Sequence, residues 1–210
     1  MEGGWDAYER RLSGRIRRDV ARRWRRLEEQ GAVSLEVADG AEQLEQLLEE
    51  GFRLEPSGWK ARRGTAIASS DETRRFYSEL AAWAEAQGWL RLSFLRVGGE
   101  AVAFQYALEA SGVYYFLKGG YDPAYSRFSP GKLLVFALLE RAFTVGLSRY
   151  DFLGADDAFK LEWTQTAREL KLLQGFAPTV VGLLGWTAEA HGRPLARTAA
   201  RVVRRVGAGG

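Results

Sequence analysis

Three apolar segments separated by two short glycine-containing turns constrain the fold of this 210-residue chain more than any other feature. Residues 90–97, 101–109 and 113–118 have the composition of strands. The turns between them, Gly98-Gly99 and Ser111-Gly112, have the length and residue types of hairpin turns. The sequence therefore predicts an antiparallel meander of three strands.

A long apolar helix is predicted after this meander. Residues 130–146 are apolar on nearly every side, which is typical of a helix that other elements cover. Residues 149–153 form a short strand with no hairpin link to the previous strand, so a crossover is needed and the two strands must run parallel. We therefore expect an α/β fold of the mixed-sheet (α+β) kind, an antiparallel meander followed by a helix crossover to a parallel strand.

Further elements are predicted on both sides of this unit. A basic helix at 12–30 ends at Gly31, and a half-buried strand follows at 33–38. A short helix around Leu47 gives way to an irregular stretch at 51–70, and Ser69 with Glu72 suggests a capping box for a helix at 69–87.

The C-terminal part is predicted to hold a helical segment at 156–163, a last strand at 166–173, a loop beyond Pro178 and a helix at 195–206. We divide the chain into three segments: a basic N-terminal helix or inter-domain segment at 1–30, a central domain at 31–177, and a C-terminal loop and basic helix at 178–210.

The chain contains no cysteine and one histidine, His191. Disulfides, thiolate metal sites and a thiol nucleophile are therefore excluded, and we expect neither a histidine-based catalytic pair nor a metal site. No apolar run is long enough to span a bilayer, and the N-terminus has no apolar signal-peptide core. We expect a cytoplasmic protein, with peripheral contact to the inner membrane as a further hypothesis.

The net charge is only +3, but arginines concentrate at 10–26 and recur at 193–205. Basic ends on a neutral body favour contact with an anionic partner such as a membrane surface, RNA or a phosphorylated substrate. Solvated helix faces explain the same pattern equally well.

The segment that leads into the apolar helix has the features of an anion site. It opens with Gly119-Gly120, which we expect to leave the sheet, and it ends at Ser129, Pro130 and Gly131. Ser129 can cap the helix, Pro130 suits its first turn, and Gly131 lets a ligand approach the backbone. The helix start offers free amides, and Arg127 and Lys132 add positive charge. A pyrophosphate would fit here, although such helix starts are also common without a ligand.

Several motifs in order give the chain a resemblance to a known family. They are Leu54-Glu55-Pro56-Ser57-Gly58-Trp59-Lys60 with Gly64-Thr65-Ala66, Phe76-Tyr77, residues 118–122, Tyr125 with Ser129-Pro130-Gly131, Tyr150-Asp151-Phe152-Leu153, and Asp157-Ala158-Phe159-Lys160 with Trp163. Over residues 5–176 the chain resembles the GNAT acetyltransferases, in particular the BioF2-like or CelD-like branch, which is related to the Fem transferases.

This resemblance implies that acetyl-coenzyme A, or another acyl-coenzyme A, binds as co-substrate between the two parallel strands. Its pyrophosphate would lie on the loop before the long helix, where the matching residues are Arg127, Phe128, Ser129, Gly131 and Lys132. Lys118, at the end of a strand facing this loop, is a further candidate. The usual family loop has two glycine-type positions, whereas this chain has one displaced glycine.

Direct acyl transfer requires a base near the attacking amine or hydroxyl. Glu55, beside Trp59, is one candidate, with an ordinary surface carboxylate as the alternative. Asp151 lies in an apolar strand and must be paired or face the site, and Lys160 is a candidate partner that could also neutralise negative charge. Phe159 stands where the family commonly has the tyrosine that protonates the leaving thiolate.

Three functional hypotheses remain at this point. The first is an acyltransferase that modifies an amine or hydroxyl, in envelope polysaccharide synthesis. The second is a Fem-like aminoacyl transfer from tRNA, and the third is a non-catalytic docking module. Because CelD-like proteins usually carry two such halves, we also expect a second GNAT-like domain or a homodimer as partner.

Overall fold

Five strands form one mixed sheet in the computed structural model, which describes residues 3–54, 70–155, 157–169 and 175–187. The strands are β1 Val33–Ala38, β2 Leu90–Val97, β3 Glu100–Ala110, β4 Val113–Tyr121 and β5 Arg149–Asp151. They lie in chain order, antiparallel from β1 to β4, and β5 runs parallel to β4. The predicted meander followed by a parallel strand is confirmed.

The helices of the described residues lie before, between and after these strands. They are α1 Gly4–Arg11, α2 Gly14–Glu28, α3 Leu44–Leu54, α4 Asp71–Ala86, α5 Pro130–Thr144, α6 Ala158–Leu161 and α7 Val180–Thr187, with a 3₁₀ segment at Pro123–Phe128. Helix α5 is the predicted crossover between the parallel strands, and most of its apolar side chains are buried.

One face of the sheet is covered by α5 together with the N-terminal helices. Ile16, Val20 and Leu27 of α2 are buried in the same core cluster as Leu134 and Leu138 of α5. Helix α1, which sequence reasoning missed, packs the ring of Trp5 against Phe136 and Phe143 at centroid distances of 5.0 and 5.9 Å. The buried residues of α2 form one apolar stripe that faces the core, and the arginines of this helix lie outside the stripe.

The other face is covered by α3 and α4, whose buried residues form a second core cluster with β2 and β3. At Gly51 the backbone of α3 lies directly against the ring of Phe104, and a Cβ there would come within 2.3 Å of that ring. The helix consequently continues through Gly51 to Leu54. The prediction that irregular structure begins at Gly51 is wrong because this glycine serves close packing rather than a break.

Other predicted boundaries also differ from the structure. The cap of α4 is Ser70, whose hydroxyl accepts from the amide of Thr73, and Ser69 lies outside the described residues. Strand β4 continues through Gly119 and Gly120 to Tyr121, so the two glycines do not open a loop. Strand β5 ends at Asp151 rather than at residue 153.

Residues 1–165 and 166–210 form two separate compact units. In the second unit, residues 166–169 are not strand, which contradicts the described part of the predicted strand at 166–173; residues 170–173 lie outside the description. Helix α7 occupies the region beyond Pro178 that was expected to be loop. The predicted helix at 195–206 is not among the described residues.

The predicted division at 30 and 177 concerns composition and function, and the grouping into compact units does not test it. Within the described residues, every helix is too short or too polar to cross a membrane.

Candidate active site

The parallel pair of strands is joined along only part of its length. Strand β5 pairs with β4 at Val113–Arg149, Tyr114–Tyr150 and Tyr115–Asp151. Strand β4 then continues to Tyr121, whereas β5 ends at Asp151. We call residues 113–115 the paired part of β4 and residues 116–121 the gap part. Where the structure describes the chain, no β4–β5 pair is formed beyond Asp151, and at the carboxyl ends of parallel strands a crevice is expected there. We call this side of the gap part the opening.

The paired part is held by two stacked tyrosines. The rings of Tyr114 and Tyr150 lie 4.7 Å apart between centroids, nearly parallel. The Tyr150 hydroxyl donates to Oε1 of the buried Gln105 at 2.8 Å. Burial, as the largest influence, raises the pKa of both phenols well above the ordinary value. Both tyrosines are therefore neutral hydrogen-bonding groups that fix β5 on the sheet.

A bulge marks the start of the gap part. The register passes from Ala107–Phe116 to Tyr106–Lys118, so Leu117 is an extra residue on β4. A bulge bends its strand and increases the local twist. Two residues later, a Cβ on Gly119 would lie 2.9 Å from the Phe116 ring and 3.0 Å from the Phe104 carbonyl oxygen. Glycine is thus required by close packing beside the opening.

The turn after β5 is organised by two residues that the sequence marked as catalytic. Asp151 Oδ1 accepts the amide of Leu153 at 2.9 Å, and Leu153 has a left-handed φ of 51°. The ammonium of Lys160 donates to the carbonyl oxygens of Leu153 at 2.7 Å and Ala155 at 2.8 Å. Together these contacts hold the chain in the turn that carries it away from β4.

The expected ion pair between Asp151 and Lys160 is not formed. Lys160 pairs with Asp157 at 3.3 Å, and Asp151 lies 3.8 Å from the guanidinium of Arg149. The pairing is wrong because the left-handed turn brings backbone carbonyls, rather than the carboxylate, to the ammonium group. Asp151 remains partly exposed, with 31% of its side-chain surface accessible.

The segment between β4 and α5 is a short 3₁₀ helix rather than an open loop. Asp122 caps it by accepting the amide of Ala124 at 2.8 Å. Ser129 has a left-handed φ of 52° and makes no side-chain cap; its carbonyl instead accepts the amide of Lys132 at 2.9 Å. The predicted capping role of Ser129 is therefore wrong.

Gly131 lies in the first turn of α5 with space around it. A Cβ built on Gly131 would meet only the Tyr121 ring within 4 Å, at an ordinary contact distance of 3.7 Å. Pro130 has no amide hydrogen, so the amide of Gly131 is the first donor of the helix. The start of α5 thus lies beside the end of β4, with Tyr121 between them.

The six residues expected to bind the cofactor do not all lie together. Arg127, Phe128, Ser129 and Gly131 adjoin the start of α5, and the Arg127 guanidinium lies 4.6 Å from the ring of the buried Phe128. Lys118 lies on the sheet face covered by α4, with its ammonium 5.6 Å from the Tyr77 ring.

Lys132 extends towards carboxylates. Its ammonium lies 2.6 Å from Glu162 and 3.5 Å from Asp19 of α2. Burial alone would raise the pKa of Asp19, but hydrogen bonds from Arg22 and Arg23 and the charges of Arg23 and Lys132 lower it to about 2. This ionic cluster ties α2 to the first turn of α5, and it was missed because the sequence does not show which charged residues of α2 and α5 lie side by side.

Glu55, the predicted base, lies outside the described residues, and so do Trp59 and Lys60. In the described part of the chain no three histidine, cysteine, aspartate or glutamate residues are grouped so that they could hold a metal ion. Sequence reasoning also missed the bulge at Leu117 and the position of Tyr121; the glycine pair at 119–120 was the available signal, interpreted there as a loop.

Solved structures that are similar to this chain match it at low sequence identity. It is similar to the C-terminal domain of a putative lysylphosphatidylglycerol synthetase from Agrobacterium fabrum (16% identity, TM-score 0.44), covering 66% of this chain and 40% of that one. It is also similar to an aminoglycoside acetyltransferase from an uncultured soil metagenomic sample in complex with sisomicin (17% identity, TM-score 0.46). That match covers 73% of this chain and 99% of the other. A third similar structure is aminoglycoside N-acetyltransferase AAC(6')-Iy in complex with CoA (11% identity, TM-score 0.45). That match covers 69% of this chain and 95% of the other.

No curated protein matches the sequence. The family model of the acetyltransferase (GNAT) domain matches residues 14–161, which include the whole sheet, the crossover helix and the turn after β5. The chain therefore belongs to the GNAT acetyltransferase family.

Proposed function

We propose that this chain transfers an acetyl or other acyl group from acyl-coenzyme A to an amine or hydroxyl at the opening between β4 and β5. The observation that carries the proposal is that β5 pairs with β4 only as far as Tyr115–Asp151, while β4 continues to Tyr121 beside the start of α5. Family membership supplies the reaction class, and this opening supplies a place for the thioester between the strands.

The chain's own groups suit the diphosphate of coenzyme A at the start of α5. The amide of Gly131 and the positive end of the helix dipole favour an anion there, and the absence of a Cβ leaves room for its oxygens. Arg127 adds a full positive charge close by. Lys132 is less suited to this role because Glu162 and Asp19 already balance its charge.

In the reaction, the acceptor nitrogen or oxygen attacks the thioester carbonyl, the C–S bond breaks, and the acceptor loses a proton to a base. Glu55 and Asp151 remain the proposed bases, and Asp151 is partly exposed at the end of β5. Lys160 is proposed to act through the turn it holds, since its ammonium is engaged by two carbonyls and Asp157. Phe159 cannot donate a proton to the leaving thiolate.

The finer assignment is also a proposal. The order of motifs supports the BioF2-like or CelD-like branch, with a hydroxyl or amine of a polysaccharide precursor as acceptor, and we place the reaction in the cytoplasm. A Fem-like transfer from aminoacyl-tRNA is the alternative that the arginine-rich α2 favours, since several of its arginines are exposed. Both reactions need the same opening, but the acyl group comes from acyl-coenzyme A in the first and from aminoacyl-tRNA in the second.

Calorimetric titration separates these alternatives. We expect micromolar binding of acetyl-coenzyme A to the full chain and no binding of tRNA. Gly131→Trp should weaken acetyl-coenzyme A binding by about a hundredfold or more, because the side chain would fill the space that the diphosphate needs, while the circular dichroism spectrum stays unchanged.

Gly175→Trp is the matched control, because a Cβ at Gly175 likewise meets no close neighbour and its φ is not left-handed. Equal affinities for both tryptophan variants would overturn the assignment of the diphosphate to α5. Binding of tRNA without acetyl-coenzyme A binding would favour the Fem-like reaction, and binding of neither would favour a docking module.

A further inference from the structure

Helix α7 exposes large apolar side chains over a wide arc of its circumference. Its sequence is VVGLLGWT, without a charged residue. Five of its eight residues are large and apolar, with 48% to 79% of their surface accessible: Val180, Val181, Leu183, Leu184 and Trp186. Folded proteins rarely leave such a set in water, so this surface calls for a partner.

The distribution of these side chains indicates an apolar phase rather than a protein groove. A helix that binds in a groove carries its anchors along one stripe, at i, i+3, i+4 and i+7. At 100° per residue, Val180, Leu183 and Leu184 form such a stripe, but the exposed Val181 and Trp186 flank it and widen the apolar arc to roughly 220°. The two glycines occupy the remaining side. An environment that contacts the helix from several sides is therefore favoured over a single binding groove.

The length of the helix and its neighbouring charges restrict that environment further. Eight residues extend about 12 Å, far less than the roughly 20 residues that span a bilayer. The sequence that follows Glu189 contains five arginines and no acidic residue: Arg193, Arg197, Arg201, Arg204 and Arg205. Such a positive segment complements the headgroups of anionic lipids, and tryptophan favours the membrane–water interface.

We propose that helix α7 inserts into the headgroup boundary of an anionic lipid bilayer and attaches the enzyme to the membrane surface. The apolar side chains provide the insertion and the following arginines provide the attraction to lipid phosphates. The membrane would then be the surface at which the proposed transferase meets its acceptor, although attachment does not depend on the proposed reaction.

Vesicle flotation with the full chain tests the proposal. We expect flotation with vesicles of equal parts phosphatidylcholine and phosphatidylglycerol, and much weaker flotation with phosphatidylcholine alone. The double variant Leu183→Asp/Leu184→Asp should lower the partition coefficient by about tenfold or more, since both side chains must leave the lipid. The blue shift of tryptophan emission on adding vesicles should be largely lost in Trp186→Phe, which still floats.

Val145→Asp is the matched control, because Val145 is 51% exposed but lies at the end of α5 in the other compact unit. Equal flotation of the control and the double variant would overturn the proposal. It would also be overturned if light scattering showed a dimer that the double variant dissolves without any vesicle binding, or if tRNA bound the chain through α7 in place of vesicles. Calorimetry with acetyl-coenzyme A is independent of these outcomes.

Discussion

The two parts of β4 differ in what lies beside them. In the paired part, Tyr114 is buried and stacked on Tyr150 of β5, and the pair is joined to Gln105 in the core. In the gap part, β5 has ended, a bulge at Leu117 bends the strand, and Gly119 and Gly120 replace side chains with backbone. One strand thus has a part anchored by β5 and a part that β5 leaves unpaired, where we propose that the ligand binds.

This difference would provide the proposed binding site without a separate binding element. The hydrogen bond from Tyr150 fixes where β5 begins, and the turn held by Asp151 and Lys160 fixes where it leaves. The opening lies between the part of β5 that Tyr150 anchors and the turn that Asp151 and Lys160 hold. Changes in the paired part should therefore affect stability first, and changes at the turn should affect ligand binding first.

The largest effect is expected in the paired part. Tyr150→Ala should lower the free energy of unfolding by about 3–5 kcal/mol, because it creates a cavity beside Tyr114 and removes the shorter of the two hydrogen bonds that Gln105 Oε1 accepts. Tyr150→Phe keeps the ring and should cost only about 1–3 kcal/mol. Urea unfolding followed by circular dichroism measures both. Equal losses for the two variants would mean that the stacked ring contributes little.

A smaller effect on stability, but a clear effect on binding, is expected at the turn. Lys160→Met removes the donor that holds the carbonyls of Leu153 and Ala155, so the turn should loosen and acetyl-coenzyme A affinity should fall by about three- to tenfold. Calorimetric titration gives the affinity.

Lys132→Met is the matched comparison for this lysine. It removes a lysine whose charge is balanced by Glu162 and Asp19, so we expect an affinity within about twofold of the unaltered chain. A larger loss in Lys132→Met than in Lys160→Met would show that Lys132 contacts the ligand after all, as the sequence had suggested.

The smallest effect concerns the ionic cluster beside the gap. The pKa of Asp19 is about 2 in the folded chain, below its ordinary value of 3.8. A lowered pKa means that the stabilisation is fully present above about pH 4 and is lost as the pH falls through about 2. Asp19→Asn should therefore lower stability by about 1 kcal/mol near neutral pH.

The pH dependence of that difference provides the check. Urea unfolding of both proteins should show a constant difference in the free energy of unfolding above about pH 5. This difference should become smaller as the pH falls below about 4. A difference in the free energy of unfolding that stays constant down to about pH 3 would mean that Asp19 is not stabilised as a carboxylate. Helix α2 would then be held on α5 by apolar contacts alone.

The sheet could be predicted from the sequence because its signals are local. The bounds of β1 and β2 match the alternation and apolar content of their segments, and the glycine turns specify the meander. The crossover to β5 followed from the absence of a hairpin link. Gly51 and Gly119 misled the prediction, because a glycine that allows close packing against Phe104 or Phe116 looks the same in sequence as one that ends an element.

The site was only partly predictable for a different reason. The order of elements placed Gly131 at the start of the crossover helix, and Asp151 and Lys160 were chosen as candidate catalytic residues. Their contacts depend on the left-handed conformation of Leu153, which no pattern of residue types announces. Likewise, the partners of Lys132 come from α2 and residue 162, far apart in the chain.

Hydrogen exchange followed by mass spectrometry, with and without saturating coenzyme A, shows whether the ligand binds along the gap part of β4. We expect new protection confined to residues 116–121 and to the start of α5 around Gly131, with the paired residues 113–115 and 149–151 unchanged because they are already protected. Protection elsewhere, with the gap part and the start of α5 unaffected, would contradict this expectation.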